Sequence, residues 1–136
     1  MRIIVSNIIP FRGYIAVTVW PLIFVRKSAK ARFTDRADRH ECIHGEQQKE
    51  LLPFGIALCV ILWLSGCGWW SLIAIPLALW LYLLSYVFRL VWHRDHDLAY
   101  SNIPFEQEAY MWEDNDQYLS HRRHFAWISR IFKTRF

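Results

Sequence analysis

His40-Glu41-Cys42-Ile43-His44 sets two imidazoles four residues apart with a carboxylate beside the first. On a helix each residue advances the side chain by ~100°, so His40 and His44 point the same way one turn apart. Two imidazoles so placed can bind one Zn²⁺ at ~2.0–2.1 Å each. Glu41 lies roughly 100° round the helix, within reach of a coordinated water without being a ligand. Zinc lowers the pKa of such a water to about 7, and a neighbouring carboxylate can take its proton as it attacks a carbonyl. Six His and six Glu in 136 residues would give such a pattern by chance on the order of 0.01 times.

A catalytic zinc wants a third protein ligand and an open fourth position. The segment Asn102-Ile103-Pro104-Phe105-Glu106-Gln107-Glu108-Ala109-Tyr110 is the best source. Glu106 and Glu108 are about 200° apart on a helix and do not easily face one metal together. Glu106 shares a face with Ala109, Tyr110 and Glu113, and a small Ala109 lets this helix approach the motif helix. Glu106 is therefore the expected third ligand, with Glu108 the fallback or the partner of an Arg. Tyr110, one turn on, can orient a ligand or donate to an oxyanion. Gln48 falls on the His40/His44 face and is a lesser candidate for contact.

Residues 93–97 (His-Arg-Asp-His-Asp) are a rival cluster, because His and Asp together can bind metal. Their spacing fits no specific motif, and a charged segment after an apolar helix is the plainer reading. His121 and His124 sit three apart. Cys42 faces away from the ligand face and reads as a buried thiol. Cys59 and Cys67 read as packing residues. Three cysteines without framework spacing argue against a disulfide-stapled secreted domain.

The two motifs and the apolar stretch between them resemble the gluzincin membrane metallopeptidases, which include the CAAX prenyl protease and the HtpX-type heat-shock peptidases. There the active-site helix is followed by membrane helices and then by a Glu-x-x-Ala-Asp helix. The resemblance implies that His40, His44 and Glu106 bind zinc and that Glu41 is the base. It also implies an edge strand, within 14–26, that holds peptide substrate by backbone pairing. Tyr110 stands where the family has Asp, and this chain is much shorter.

The elements that must position these groups follow from charge. Residues 51–88 are 38 consecutive positions without Asp, Glu, Lys, Arg or His. At ~1.5 Å per residue against a bilayer core of ~30 Å, that covers about two crossings. Ser65-Gly66-Cys67-Gly68 breaks the run, and Trp69-Trp70 suits an interface. A transmembrane hairpin with arms 51–66 and 69–91 is expected; one crossing over 69–91 is the alternative. Pro53 and Pro76 do not exclude membrane helices. Basic residues lie on both flanks, Arg26 to Lys49 before and Arg89 to Arg135 after, so both termini are expected to be cytoplasmic. This accounts for the net charge of +4 without nucleic acid, for which no recognisable module is present.

A signal peptide is not expected, since Ser6, Asn7, Pro10, Arg12 and Gly13 interrupt the first apolar stretch. Residues 14–20 and 22–25 are β-branched and aromatic and predict two short strands about Pro21. Thr34 or Asp35 caps the motif helix, and Ser101 or Asn102 caps the Glu106 helix, with Pro104 early in it. Asp114-Asn115-Asp116 ends that helix. Residues 117–132 carry Tyr118, His121, Phe125, Ile128 and Phe132 at helical steps and predict an amphipathic helix.

The expected architecture is one mainly α membrane domain. Its parts are 1–33 (a β-hairpin), 34–50 (the His40/His44 helix), 51–91 (the membrane hairpin) and 92–136 (cytoplasmic helices). The expected function is zinc-dependent hydrolysis of peptide or protein substrates near the cytoplasmic membrane face. The alternatives are a non-catalytic zinc-binding membrane protein, or a membrane-surface scaffold that uses its basic last helix.

Overall fold

A computed structural model describes residues 1–10 and 13–133; Arg12 and Arg135 lie outside these. The first three elements form a sheet: β1 (Arg2–Ser6), β2 (Ala16–Val19) and β3 (Leu22–Arg26). β2 and β3 pair antiparallel with Thr18 opposite Ile23, the hairpin expected from the two β-branched runs. β1 adds parallel to β3, with Ile3 opposite Ile23, and makes the order β1–β3–β2. β2 is therefore an edge. Ile23, Val25 and Thr18 are buried, whereas Ile3 and Val5 are exposed. A 3₁₀ helix (Lys27–Arg32) leads to the long helix.

That helix, α1 (Asp35–Leu62), runs from the His40/His44 motif into the apolar stretch without a break, and Pro53 lies inside it. Thr34 caps it by accepting from the Ala37 N–H, which satisfies one of the first-turn donors. The chain reverses where the glycines predict. Trp63–Cys67 forms a π turn, and Gly66 and Gly68 take φ of +91° and +53°, values at which a Cβ would be strained. The return arm is a 3₁₀ stretch (Gly68–Ala74), a break at Ile75-Pro76, and α2 (Leu77–His93). α1, with its continuation, is long and apolar enough to cross a membrane, while α2 has 17 residues and is the shorter apolar helix. Phe54, Leu64, Trp69, Trp70, Phe88 and Trp92 are all exposed.

Two helices follow: α3 (His96–Ser101), capped by Asp95 through the Leu98 N–H, and α4 (Pro104–Trp112). The N-cap of α4 is Ile103, rather than Ser101 or Asn102, and Pro104 occupies the first helical position, where its missing N–H costs nothing. Asn102 instead turns its amide onto the Leu98 carbonyl. α4 ends just before Asp114. Leu51, Ile103, Phe105 and Trp127 form the core that joins α1, α4 and the end of the chain.

The expected amphipathic helix over 117–132 does not form. α5 (Tyr118–His121) stops after one turn, Arg122 is extended, and Phe125 is left-handed at φ +56°. A 3₁₀ turn (Ala126–Arg130) follows. The cause is tertiary. Arg122 turns inward and binds Glu50 and Glu108. The Phe125 N–H donates to Glu50 at 2.9 Å, and Trp127 packs on Phe105. A continuous helix would bring neither Arg122 nor the Phe125 N–H to Glu50. Ile128 and Phe132 of the predicted stripe are exposed.

Gly55 marks the point where the two arms of the hairpin touch. A Cβ there would lie 2.5 Å from the Ile75 carbonyl oxygen and 2.8 Å from that of Ala74. Helix propensity alone would make Gly55→Ala stabilising by about 1 kcal/mol, but backbone oxygens cannot swing aside, and overpacking costs about 1–3 kcal/mol. The expected outcome is a net loss of stability in detergent, measured as a lowered thermal midpoint. A midpoint that rises would show that the arms do not meet at Gly55.

Candidate metal centre

α1 presents His40 and His44 one turn apart, and α4 brings Glu106 to them across a crossing where Ala109 is fully buried. The two Nε2 atoms are 3.1 Å apart. Glu106 Oε2 lies 3.3 Å from His40 Nε2, and Oε1 lies 3.4 Å from His44 Nε2. One ligand atom from each residue falls within 4.8 Å of the others, and this is the metal-capable group of three among the described residues. The chemistry of the donor set tests whether these residues fit a metal.

The hydrogen-bond network assigns the tautomers. His40 Nδ1 lies 2.8 Å from the Glu113 carboxylate, an acceptor, so that nitrogen carries the proton. Gln47 Nε2 donates to the Phe105 carbonyl at 3.1 Å and to Glu108 at 3.0 Å. Its Oε1 therefore faces His44 Nδ1, at 2.8 Å, and that nitrogen also carries a proton. Neutral His40 and His44 then aim bare Nε2 lone pairs at each other. Glu106 is 2% exposed, and its Oε2 is buried without a hydrogen bond. Buried acceptors without donors are costly. Three such acceptors converging on one point are the donor set of a divalent cation with nitrogen and oxygen ligands.

Without metal the cluster keeps a proton. Burial works against a charged His44, but the Glu106 carboxylate outweighs it and pushes the imidazole up to about 9. Burial likewise opposes ionisation of Glu106, yet the facing imidazoles, His44 foremost, hold it well below the usual carboxylate range. Tyr82 on α2 donates to Glu106 Oε1 at 2.7 Å. Burial and the same carboxylate push the Tyr100 phenol far up, so it stays protonated.

The supporting residues were not legible from the motif. Glu113 holds His40 and is itself bound by Arg36, while Arg39 donates to its backbone carbonyl at 2.7 Å. A carboxylate behind a ligating imidazole is the usual way of fixing its orientation. Glu113 is seven residues from Glu106, so both lie on one face of α4; that spacing was the available signal. Gln47 does for His44 what Glu113 does for His40.

Glu108 is not a ligand. It accepts from Arg122 at 2.6 Å and from Tyr118 at 2.9 Å. Tyr110 meets the His40 ring edge-on, with centroids 4.8 Å apart, and so packs behind the imidazole. Residues 93–97 do not gather: Asp95 caps α3 and His96 pairs with Tyr86 at 2.8 Å. His121 bonds locally to Ser120, and His124 is exposed. Cys42 stays away from the cluster, and burial pushes its thiol up.

Glu41 is separate from the ligand group. The Thr18 hydroxyl lies 2.7 Å from its carboxylate and 3.0 Å from its backbone carbonyl, which ties the base position to β2. His40, Glu41, His44 and Glu106 all line a cleft of about 420 Å³, with Thr18 and Ala16 on its strand side. The Ile15 carbonyl accepts from Arg26, so odd positions of β2 turn their amides to β3 and Ala16 and Thr18 turn theirs to the open edge. The Gln48 amide takes up the end of that edge, bonding Thr18 O and Trp20 N, each at 2.8 Å. Gln48 therefore contacts the strand rather than the ligand cluster.

No family model, curated protein or solved structure matches this chain.

Glu113→Gln removes the charge behind His40 while keeping the shape. Changes behind a ligating imidazole typically cost 10- to 100-fold in metal affinity. Zinc affinity measured by competition with a chromophoric chelator should fall by about that factor. Asp114→Asn, at an exposed carboxylate beside Arg36, should leave it unchanged.

Proposed function

We propose that the chain is a membrane-embedded, zinc-dependent metallopeptidase of gluzincin type. The observation that supports this reading is the convergence of His40 Nε2, His44 Nε2 and the buried Glu106 carboxylate, whose Oε2 has no hydrogen bond, on a cleft that also holds Glu41. Two His and one Glu suit zinc in geometry and softness. Three protein ligands facing a cleft favour a catalytic site over a closed structural one.

His40, His44 and Glu106 would hold the ion, which when bound supplies Lewis acidity that makes a water nucleophilic at neutral pH and polarises a carbonyl. Glu41, oriented by Thr18, takes the proton of the attacking water and returns it to the leaving amine. The Ala16 N–H and C=O and the Thr18 N–H, without partners among the described residues, bind an extended peptide as an added strand. Tyr100 keeps its proton and lines the cleft, so it is placed to donate to a developing oxyanion. Tyr110 contributes by steadying His40.

The membrane reading rests on the hairpin. Only 11% of the most apolar window of the long helix is buried, and contiguous exposed apolar surface marks a membrane or protein interaction face. Both arms enter the bilayer, with Trp69 and Trp70 at the far interface and the basic flanks, termini included, on the cytoplasmic side.

Glu41→Gln separates the roles. Zinc content should be retained and peptide hydrolysis should fall by about 10²–10⁴-fold, the usual weight of a general base. His44→Ala should lose both. Full activity in Glu41→Gln would remove the enzyme assignment. A wild-type protein that binds zinc and hydrolyses nothing would be the non-catalytic zinc protein instead.

A further inference from the structure

The cleft does not end at the metal centre. A second recess, of about 450 Å³, lies on the other side of it. Tyr14, Ala16, His40, Glu41 and Tyr100 line both. The two recesses thus adjoin at β2 and the first turn of the His40/His44 motif, and we treat them as two subsites, the halves of one binding groove.

The halves differ in chemistry. The first is walled by Ile9, Pro10, Val17, Phe105 and, from the return arm of the hairpin, Ala78 and Leu79. Leu79 is exposed and belongs to α2, the apolar return arm read above as facing lipid, so this half borders that arm. The second half is lined by Arg32, Thr34, Arg36 and Glu113. Among the described residues, charges there are matched except at Arg32 and at Glu41, whose carboxylate is held by the Thr18 hydroxyl rather than by a cation. Glu113 is held by Arg36 and His40, and Arg36 also meets Asp114. Arg32 has no counter-ion among the described residues. Arg32 is exposed at the end of the 3₁₀ helix that precedes α1, so it can meet a ligand without first breaking a pair.

We propose that the substrate is bipartite about the scissile bond: an apolar stretch occupies the half of the groove beside the hairpin, and a carboxylate-bearing stretch runs past Arg32 in the other. This rests on the peptidase reading and adds the substrate class to it. The apolar stretch reaches its half from the bilayer, along the surface that Leu79 shares with both. Arg32 selects the polar side by charge. The carboxylate is an acidic side chain or the free end of the peptide, two sources of one chemistry.

The test uses full-length zinc-loaded protein in detergent and three fluorescent peptides with one apolar half. Their other half is acidic, neutral or basic, and the acidic and neutral peptides are each made with a free and an amidated end. Binding is read by anisotropy on Glu41→Gln, and hydrolysis on the wild type. An exposed Arg–carboxylate contact contributes up to about 1 kcal/mol, so acidic peptides should bind up to about fivefold more tightly than neutral ones, and basic ones more weakly. Adding Arg32→Glu should reverse the order. Lys30→Glu, exposed on the same turn but outside the groove, should not. If the preference follows the free end alone, the carboxylate is terminal; if it survives amidation, it is a side chain. Equal binding of all three peptides, or an acidic preference that persists in Arg32→Glu, overturns the proposal. Hydrolysis without charge preference overturns it while leaving the peptidase intact. Charge-selective binding without wild-type hydrolysis sinks the peptidase and keeps the groove.

Discussion

Two imidazole nitrogens lie 3.1 Å apart, and a buried carboxylate oxygen without a hydrogen bond faces them. That contact is repulsive unless positive charge sits among the three atoms. Both Nδ1 protons are already given away, to Glu113 and to Gln47, so the imidazoles cannot relieve it by donating to each other. A proton on His44 is the solution without metal; a divalent ion is the one that satisfies all three acceptors together. Everything nearby is arranged to keep the lone pairs converging. The centre is therefore a stored electrostatic demand rather than a neutral patch of core.

Keeping that demand in place takes two chains of bonds. One runs Arg36–Glu113–His40, and the other Arg122–Glu108–Gln47–His44. Each starts from an arginine and ends on an Nδ1. The second also explains the irregular end of the chain. Arg122 is 4% exposed as a side chain between Glu50 and Glu108. Taking away one partner of such a buried pair strands the other, at a cost of about 3–5 kcal/mol. One exposed amphipathic helix over 117–132 could not match that, so local periodicity yields to the tie. The C-terminal segment is folded by its bonds to Glu50 and Glu108, not by its own pattern.

How much was legible in the sequence follows the same division. Features decided within a few residues could be read: the Thr34 cap, the one-turn spacing of His40 and His44, and the reversal at Gly66 and Gly68. So could the strand pair about Pro21, and the choice of Glu106 over Glu108 from helical phase. Features decided between distant residues could not. Glu113 reaches His40 across 73 positions and Arg122 reaches Glu50 across 72, and no spacing rule connects them. β1 joins β3 in parallel, a pairing that leaves no turn signal. Tyr110, singled out for standing one turn after Glu106, meets the His40 ring and lines the second recess, whereas Tyr100, which no motif marked, lines both recesses.

The hairpin is inserted between the two halves of the His40/His44/Glu106 cluster, so its folding brings them together. His40 and His44 precede it, Glu106 follows it, and Tyr82 on its return arm donates to Glu106. The arms meet at Gly55, close to the start of α2, which carries Tyr82. An ion that binds only the closed arrangement stabilises it by RT ln(1 + [M]/Kd), about 4 kcal/mol at a thousandfold excess over Kd. In a chain of 136 residues that is a large share of the total, since domains of this size are stable by only about 5–15 kcal/mol. If such an ion binds, its binding and the closure of the apolar arms would be one equilibrium.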